Sequence, residues 1–203
     1  MKIICVGRNY NDHIKELKNQ KPQSPVLFIK PDTSLCQPNL PFYIPNFTND
    51  VQYEAEVIIL INRIGKHIQT KFAHKYYDKV SLGIDFTARD LQNELKSKGL
   101  PWEKSKSFDG SALIGKWYSK EIFLDIKNTP FKLLKNNRLV QKSNTSSMIW
   151  SVDELISYAS KFFTLKIGDI IFTGTPSGVG TLKKEDDFQG FIGEKIALTF
   201  KVK

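Results

Sequence analysis

The chain has 203 residues, 40% of them hydrophobic and 25% charged, with a net charge of +9 at pH 7. That composition excludes a disordered or fibrous chain and fits one domain, residues 1–203, with an ample core; no apolar run approaches a membrane span. The lysines are scattered, pairs such as Lys183-Lys184 are the densest clusters, and no basic helix interleaves aromatics, so a basic surface suited to small anions is expected, not a nucleic-acid footprint.

Lys2 to Val6 reads as a short buried strand. Gly7-Arg8-Asn9-Tyr10 breaks it, and Asn11 to Lys18 forms a short helix with His13 and Glu16 on one face. The polar make-up of Asn9 to Lys18 predicts a segment with little apolar anchorage, mobile without ligand. Pro25 to Lys30 is a strand stopped by Pro31. Residues 31 to 50 hold four prolines and read as an extended loop. Asp50 to Asn62 follows as a strand with an unbroken apolar run, Val57 to Ile61. Val80 to Phe86 is another, interrupted near its end by Asp85. Thr87 and Asp90 have capping-box spacing and predict a helix start at Thr87, ending at Gly99 before Pro101. Phe131 to Lys135 and Arg138 to Lys142 read as a hairpin turned at Asn136-Asn137. Ser151 and Glu154 form a second capping box. Its helix carries a stripe of Val152, Leu155, Ile156, Ala159, Phe162 and Phe163. Asp169 to Phe172 and Lys195 to Val202 complete the strands. The elements do not alternate as βαβ units, which predicts an α+β fold, mostly β, with mixed or antiparallel sheet and a few short helices.

Cys5 and Cys36 form no motif, and Met1 to Gly7 shows no signal-peptide pattern. A cytoplasmic protein with reduced thiols is expected.

Glu54 and Glu56 sit at the mouth of an apolar strand. At i and i+2 they share a face, roughly 6.6 Å apart. Two half-buried carboxylates repel, and burial without a partner costs each more. A hard divalent cation would turn that repulsion into shared attraction, and Asp85 offers a third carboxylate at a strand end. On spacing alone a metal site and a set of solvated carboxylates both remain open. His13-Glu16 as a plain helical pair, and Lys106, Arg89 and Gln92 as solvated side chains, remain open in the same way. The segment "GTPSGVG" lacks the Gly-Lys-Ser/Thr ending of a phosphate loop and reads as a tight turn.

Seven ordered blocks carry a resemblance: "GRNYNDHIKE" (7–16), "PVLFIKP" (25–31), "YEAEV" (53–57), "GIDFTARDLQ" (83–92), "KGLPWEKSKSFD" (98–109), "TSSMIW" (145–150) and "GDIIFTGTPSGVG" (168–180). Each is weak alone; in this order they are specific. The chain resembles the fumarylacetoacetate hydrolase family, in its short single-domain acylpyruvase and oxaloacetate-decarboxylase-like branch. The resemblance implies that family's mixed β-roll, a homodimer, and Mg²⁺ or Mn²⁺ bound by Glu54, Glu56 and Asp85. It implies a catalytic His13-Glu16 pair on a lid, Lys106 beside the metal, and Arg89, Gln92, Lys106 and Thr175 against the substrate. The implied reaction breaks a C–C bond next to an α-keto acid through pyruvate enolate. Keto–enol tautomerisation or isomerisation at the same site is the alternative, and a basic nucleic-acid-binding module is a remote one.

Overall fold

A computed structural model describes residues 1–37 and 40–203. Pro38 and Asn39, in the proline-rich loop, lie outside the described residues. The largest sheet runs, in spatial order, Val26–Lys30, Ile3–Gly7, Ile170–Phe172, Ala55–Ile61, Tyr77–Asp85 and Ala112–Ile114, with Tyr118–Ser119 also on Tyr77–Asp85. The pairing of Ile3–Gly7 with Ile170–Phe172 is parallel; the other ladders of this sheet are antiparallel. This is the mixed, mostly-β architecture that the sequence predicts.

The central strands lack polar alternation because both faces of the sheet are covered. Ile4, Val6, Val57, Ile59 and Leu82 enter the main core. Ile3, Cys5, Ile58, Ile170 and Phe172 form a second cluster on the opposite face. A second sheet, in the order Arg138–Asn144, Pro130–Lys135, Asp187–Ile192 and Lys195–Lys201, closes the main core with Phe131, Leu133, Phe188 and Phe200. The sheets approach closely at Gly190, where an added Cβ would lie 2.7 Å from Leu82 Cδ2. The expected hairpin is present, turned by Asn136 at φ 50 and Asn137 at φ 61.

Register settles what lies beneath each face. Paired residues of neighbouring strands share a face. Ala55 pairs with Ile84 and Glu56 with Gly83, and Asp85 N–H donates to Glu54 O at 2.9 Å. Ala55, Val57 and Ile84 point into the main core, so Glu56 and Asp85 lie on the other face. Ile3 pairs with Lys30 and Cys5 with Phe28; Ile3 and Cys5 belong to that other face, so Lys30 and Phe28 join it.

The strand expected from Asp50 to Asn62 is two strands, Val51–Tyr53 and Ala55–Ile61. Val51–Tyr53 pairs with Thr87–Ala88 and Gly180–Thr181 in a small separate sheet. Two segments of the chain switch sheets here, one at Glu54 and one at Phe86. Thr87 therefore has extended backbone and does not cap the next helix, contrary to expectation. That helix is Arg89–Ser97, with Ala88 at its N-cap and no side-chain cap bond. Asp90 instead accepts from Thr48 Oγ1 and from Asn49 N–H. Strand pairing of Thr87 with Gln52 outweighs the local capping preference. The second capping box forms as expected, and Val152, Leu155, Ile156 and Ala159 are buried. Phe162 is 58% exposed, a correction to the predicted stripe. The helix ends there; the ring packs edge-on against Tyr158, while Phe163 turns back toward the core. Asp187–Ile192 and Ala112–Ile114 are strands that the sequence reading missed. Among the described residues, no helix is long and apolar enough to cross a membrane.

Candidate active site

Glu54, Glu56 and Asp85 each offer a carboxylate oxygen, and these atoms lie within 4.8 Å of one another. All three residues are buried. The sheet switches bring them together: Glu54 is the residue between two sheets, Glu56 is the second residue of the next strand, and Asp85 ends the strand paired with it. The sequence identifies the residues, but only the register puts Asp85 opposite Glu54.

Three buried cations face them. Lys106 Nζ donates to Glu54 Oε2 at 2.7 Å, Asp85 Oδ2 at 2.8 Å and Thr87 Oγ1 at 2.6 Å. Arg89 Nη2 donates to Glu54 Oε1, and Arg89 Nε to Gln52 Oε1 at 2.9 Å. Lys30 Nζ lies 2.9 Å from Asp85 Oδ1. It donates to Ser111 O and Ser111 Oγ, each at 3.0 Å, and to Lys106 O. Asp85 Oδ1 accepts no aligned hydrogen bond; the lysine contact is one of charge.

The compensation is uneven. Burial opposes ionisation of Glu54, but Lys106, Arg89 and His13 outweigh it and hold its carboxyl well below the usual carboxylate range. Burial, then Asp85 and Glu54, push the Glu56 carboxyl well above that range. Glu56 Oε2 accepts the Gly174 N–H at 2.7 Å. Gly174 has φ +99, and an added Cβ would lie 2.7 Å from Asn9 Cβ, so no larger residue fits without strain. Burial also lowers the Lys106 ammonium, yet Asp85 and Glu54 more than restore it. An under-compensated Glu56, an Asp85 oxygen that accepts no hydrogen bond and an all-oxygen donor set fit a hard divalent cation.

The helix Asn11–Glu16 covers this cluster. His13 Nδ1 lies 3.0 Å from Glu16 Oε2, which assigns the proton to Nδ1 and leaves Nε2 as the free nitrogen. Glu16 Oε1 accepts the Gly178 N–H at 2.8 Å, tying the helix to the turn "GTPSGVG". The expectation of little apolar anchorage is wrong for this segment: Tyr10 and Ile14 are both core residues. Asn9 fixes its stem. Its Nδ2 donates to Trp150 O at 3.0 Å and Thr173 O at 2.8 Å, and its Oδ1 accepts the Trp150 N–H at 2.8 Å. Asn9→Ala leaves these buried backbone groups unpaired and is expected to destabilise the protein by about 2–3 kcal/mol. Chemical denaturation checks this, and a change under about 0.5 kcal/mol contradicts it.

Residues of the lid, the acidic cluster and the helix Arg89–Ser97 line one cavity. The free space for water-sized groups is about 30 Å³, room for an ion or a water. His13, Arg89, Gln92, Lys106 and Thr175 all line it; Glu16 stands behind His13. Thr175 Oγ1 donates to Ala55 O and accepts from Gln141 Nε2, each at 2.9 Å, so in this state its hydroxyl is already engaged. Sequence reading passed over Lys30, Arg8 and Lys96. Lys30 ends an apolar strand before Pro31, and that position is the signal that could have found it.

Residues 2–198 match the sequence-family model described as Fumarylacetoacetate (FAA) hydrolase C-terminal. The chain belongs to the fumarylacetoacetate hydrolase family. It is 41% identical over 200 residues to oxaloacetate tautomerase FAHD1, mitochondrial, of Bos taurus, covering 98% of this chain and 90% of that one. It is 42% identical over 183 residues to the mitochondrial oxaloacetate decarboxylase of Dictyostelium discoideum, covering 90% and 84%. The fold matches a crystal structure of fumarylpyruvate hydrolase from Pseudomonas aeruginosa in complex with Mn²⁺ and pyruvate. There the TM-score is 0.93 and the identity 33%, over 100% of this chain and 89% of that one. Members of the fumarylacetoacetate hydrolase family named in these comparisons are enzymes, and this chain carries the same fold over its whole length.

Proposed function

We propose that the protein is a divalent-metal-dependent enzyme that breaks the C–C bond next to an α-keto acid, by acylpyruvate hydrolysis, oxaloacetate decarboxylation or both. One observation carries this: three buried, mutually close carboxylates lie beneath a docked His13-Glu16 pair. In this reading Glu54, Glu56 and Asp85 hold Mg²⁺ or Mn²⁺, which supplies a Lewis acid for the keto acid's oxygens. The Mn²⁺ and pyruvate in the P. aeruginosa relative support it. The active form is the homodimer that the resemblance implies.

The chain's own residues have separable tasks. Gln92 Oε1 is engaged by Arg89, so its amide N–H groups remain to donate to a substrate carboxylate. Arg89 orients both Gln92 and Glu54. The three N–H donors of Lys106 are engaged by Glu54, Asp85 and Thr87, so Lys106 acts on a developing enolate through its charge. In acylpyruvate cleavage, His13 Nε2 removes a proton from water as the oxygen attacks the acyl carbonyl, and Glu16 stabilises the resulting imidazolium. The C–C bond then breaks, its electron pair goes to pyruvate enolate, and a proton returns to the enolate carbon. Decarboxylation releases the same enolate with CO₂ and needs no attacking water.

Oxalate copies the planar, dianionic enolate. It is expected to compete with substrate in assays of pyruvate release at saturating Mn²⁺, and chelator is expected to abolish that release. Lack of competition would mean that the site reads something other than a keto acid.

A second reading, keto–enol tautomerisation of oxaloacetate, draws on the small free space of the cavity and on the name of the bovine relative. His13 Nε2 would move a proton between the C3 carbon and the enol oxygen with no water admitted. Loss of enol absorbance without pyruvate release distinguishes it.

A further inference from the structure

We propose that Arg8 and Lys96 form a second anion subsite that reads the distal carboxylate of a dicarboxylic 2-keto acid; this deepens the keto-acid reading above and rests on it. Four cationic side chains line the cavity: Arg8, Arg89, Lys96 and Lys106. Arg89 and Lys106 are buried and paired with Glu54 and Asp85. Arg8 and Lys96 are half-buried at the rim. Among the described residues, neither has a carboxylate in ion-pair range or a side-chain hydrogen bond.

Lys96 is nevertheless held at its ammonium, and Arg8 at its backbone. Arg89, Gln92 and Lys96 fall at i, i+3 and i+7 of one helix, so a single face presents all three to the cavity. The Lys96 ammonium sits over the Trp102 ring, 5.5 Å from its centroid, an arrangement that fixes a cation while leaving its N–H groups free. Arg8 has φ 61, the left-handed conformation that a non-glycine residue adopts only where its surroundings enforce it. The enforcement is visible next door, in the three hydrogen bonds that lock Asn9.

Two unpaired like charges at one rim repel. Burial, then Arg8, Arg89 and Lys106, push the Lys96 ammonium down to about 8. A carboxylate between Arg8 and Lys96 relieves that repulsion, just as a cation relieves the one between Glu54 and Glu56. The cavity thus has two sites of opposite demand, which suits a ligand with a keto-acid head and a second carboxylate.

Calorimetry on the Mn²⁺-loaded protein tests this with two ligands of similar length, 2-oxoglutarate and 2-oxopentanoate. They differ in the distal carboxylate, and neither has a carboxylate β to the ketone, so neither decarboxylates. The wild type is expected to bind 2-oxoglutarate about 10- to 100-fold more tightly, the range of a charge-assisted contact. Lys96→Met and Arg8→Gln are each expected to remove most of that preference and leave 2-oxopentanoate affinity within about twofold. Lys96→Arg is expected to retain it. Lys96 lies on a helix surface, so its variant keeps the test valid if Arg8→Gln folds poorly. Absence of a preference in the wild type, its persistence in Lys96→Met, or equal weakening of both ligands overturns the subsite. If 2-oxopentanoate binds and only the preference is missing, the subsite alone fails. If neither ligand binds, the keto-acid reading fails with it.

Discussion

Glu56→Gln is expected to abolish Mn²⁺ binding and keto-acid turnover together while the fold persists. Glu56 is the carboxylate with the least compensation: Lys106 and Arg89 serve Glu54, and Lys106 and Lys30 serve Asp85. Burial and its two acidic neighbours push the Glu56 carboxyl up, so without metal its negative charge is the costly one. Glutamine has the same shape and can still accept the Gly174 N–H. The metal-free variant should therefore melt at or above the wild-type temperature, because a repulsive charge is gone. The wild type should gain stability on adding Mn²⁺, and the variant should not. Calorimetry and thermal melts with and without Mn²⁺ check both halves. Unchanged Mn²⁺ affinity in the variant would remove Glu56 from the metal site.

His13→Ala should lower acylpyruvate cleavage by about 10²–10⁴, the range for a general base, and lower oxaloacetate decarboxylation much less. The asymmetry follows from the chemistry. Hydrolysis must activate a water, whereas loss of CO₂ chiefly needs somewhere for the electron pair to go. Glu16→Ala should follow the same pattern more weakly. It removes the acceptor on His13 Nδ1 and the tie to Gly178, but leaves the base. Parallel assays of both variants on both substrates decide the matter. Equal acylpyruvate activity in His13→Ala and wild type would exclude His13 as the base. Equal loss on both substrates would instead point to the lid as a cover that excludes water from either reaction.

Three sets of variants separate the parts of the proposed site. Changes at Glu56 are expected to act on the metal, changes at His13 on proton transfer, and changes at Lys96 on the substrate's tail. Arg89 belongs to more than one part, since it contacts Gln52, Glu54 and Gln92 at once. Its replacement would disturb metal and substrate together and would be hard to interpret alone.

The sequence by itself determined the strand-rich character of the chain, the Asn136-Asn137 hairpin, the Ser151-Glu154 capping box and the candidate residues Glu54, Glu56, Asp85, His13 and Lys106 that the fold brings together. These are legible because each rests on local chemistry: an unbroken apolar run, a positive-φ turn, a reciprocal hydrogen bond, and ordered blocks that carry a family resemblance. Pairing decided the rest. Thr87 has the spacing of a cap and becomes a strand residue, because its backbone pairs with Gln52 across 35 residues of chain. Asn9 to Lys18 has the polar make-up of a loose segment, yet Tyr10 and Ile14 bury into the core and Asn9 locks to Trp150 and Thr173. The partner of Asp85 is invisible in the chain, because Lys30 comes from a strand 55 residues earlier. Local sequence fixes which groups are present and which backbone shape each prefers. Only the tertiary structure, by setting strand register across distant segments, brings three carboxylates within one ion's reach and gives each a different set of charges to answer.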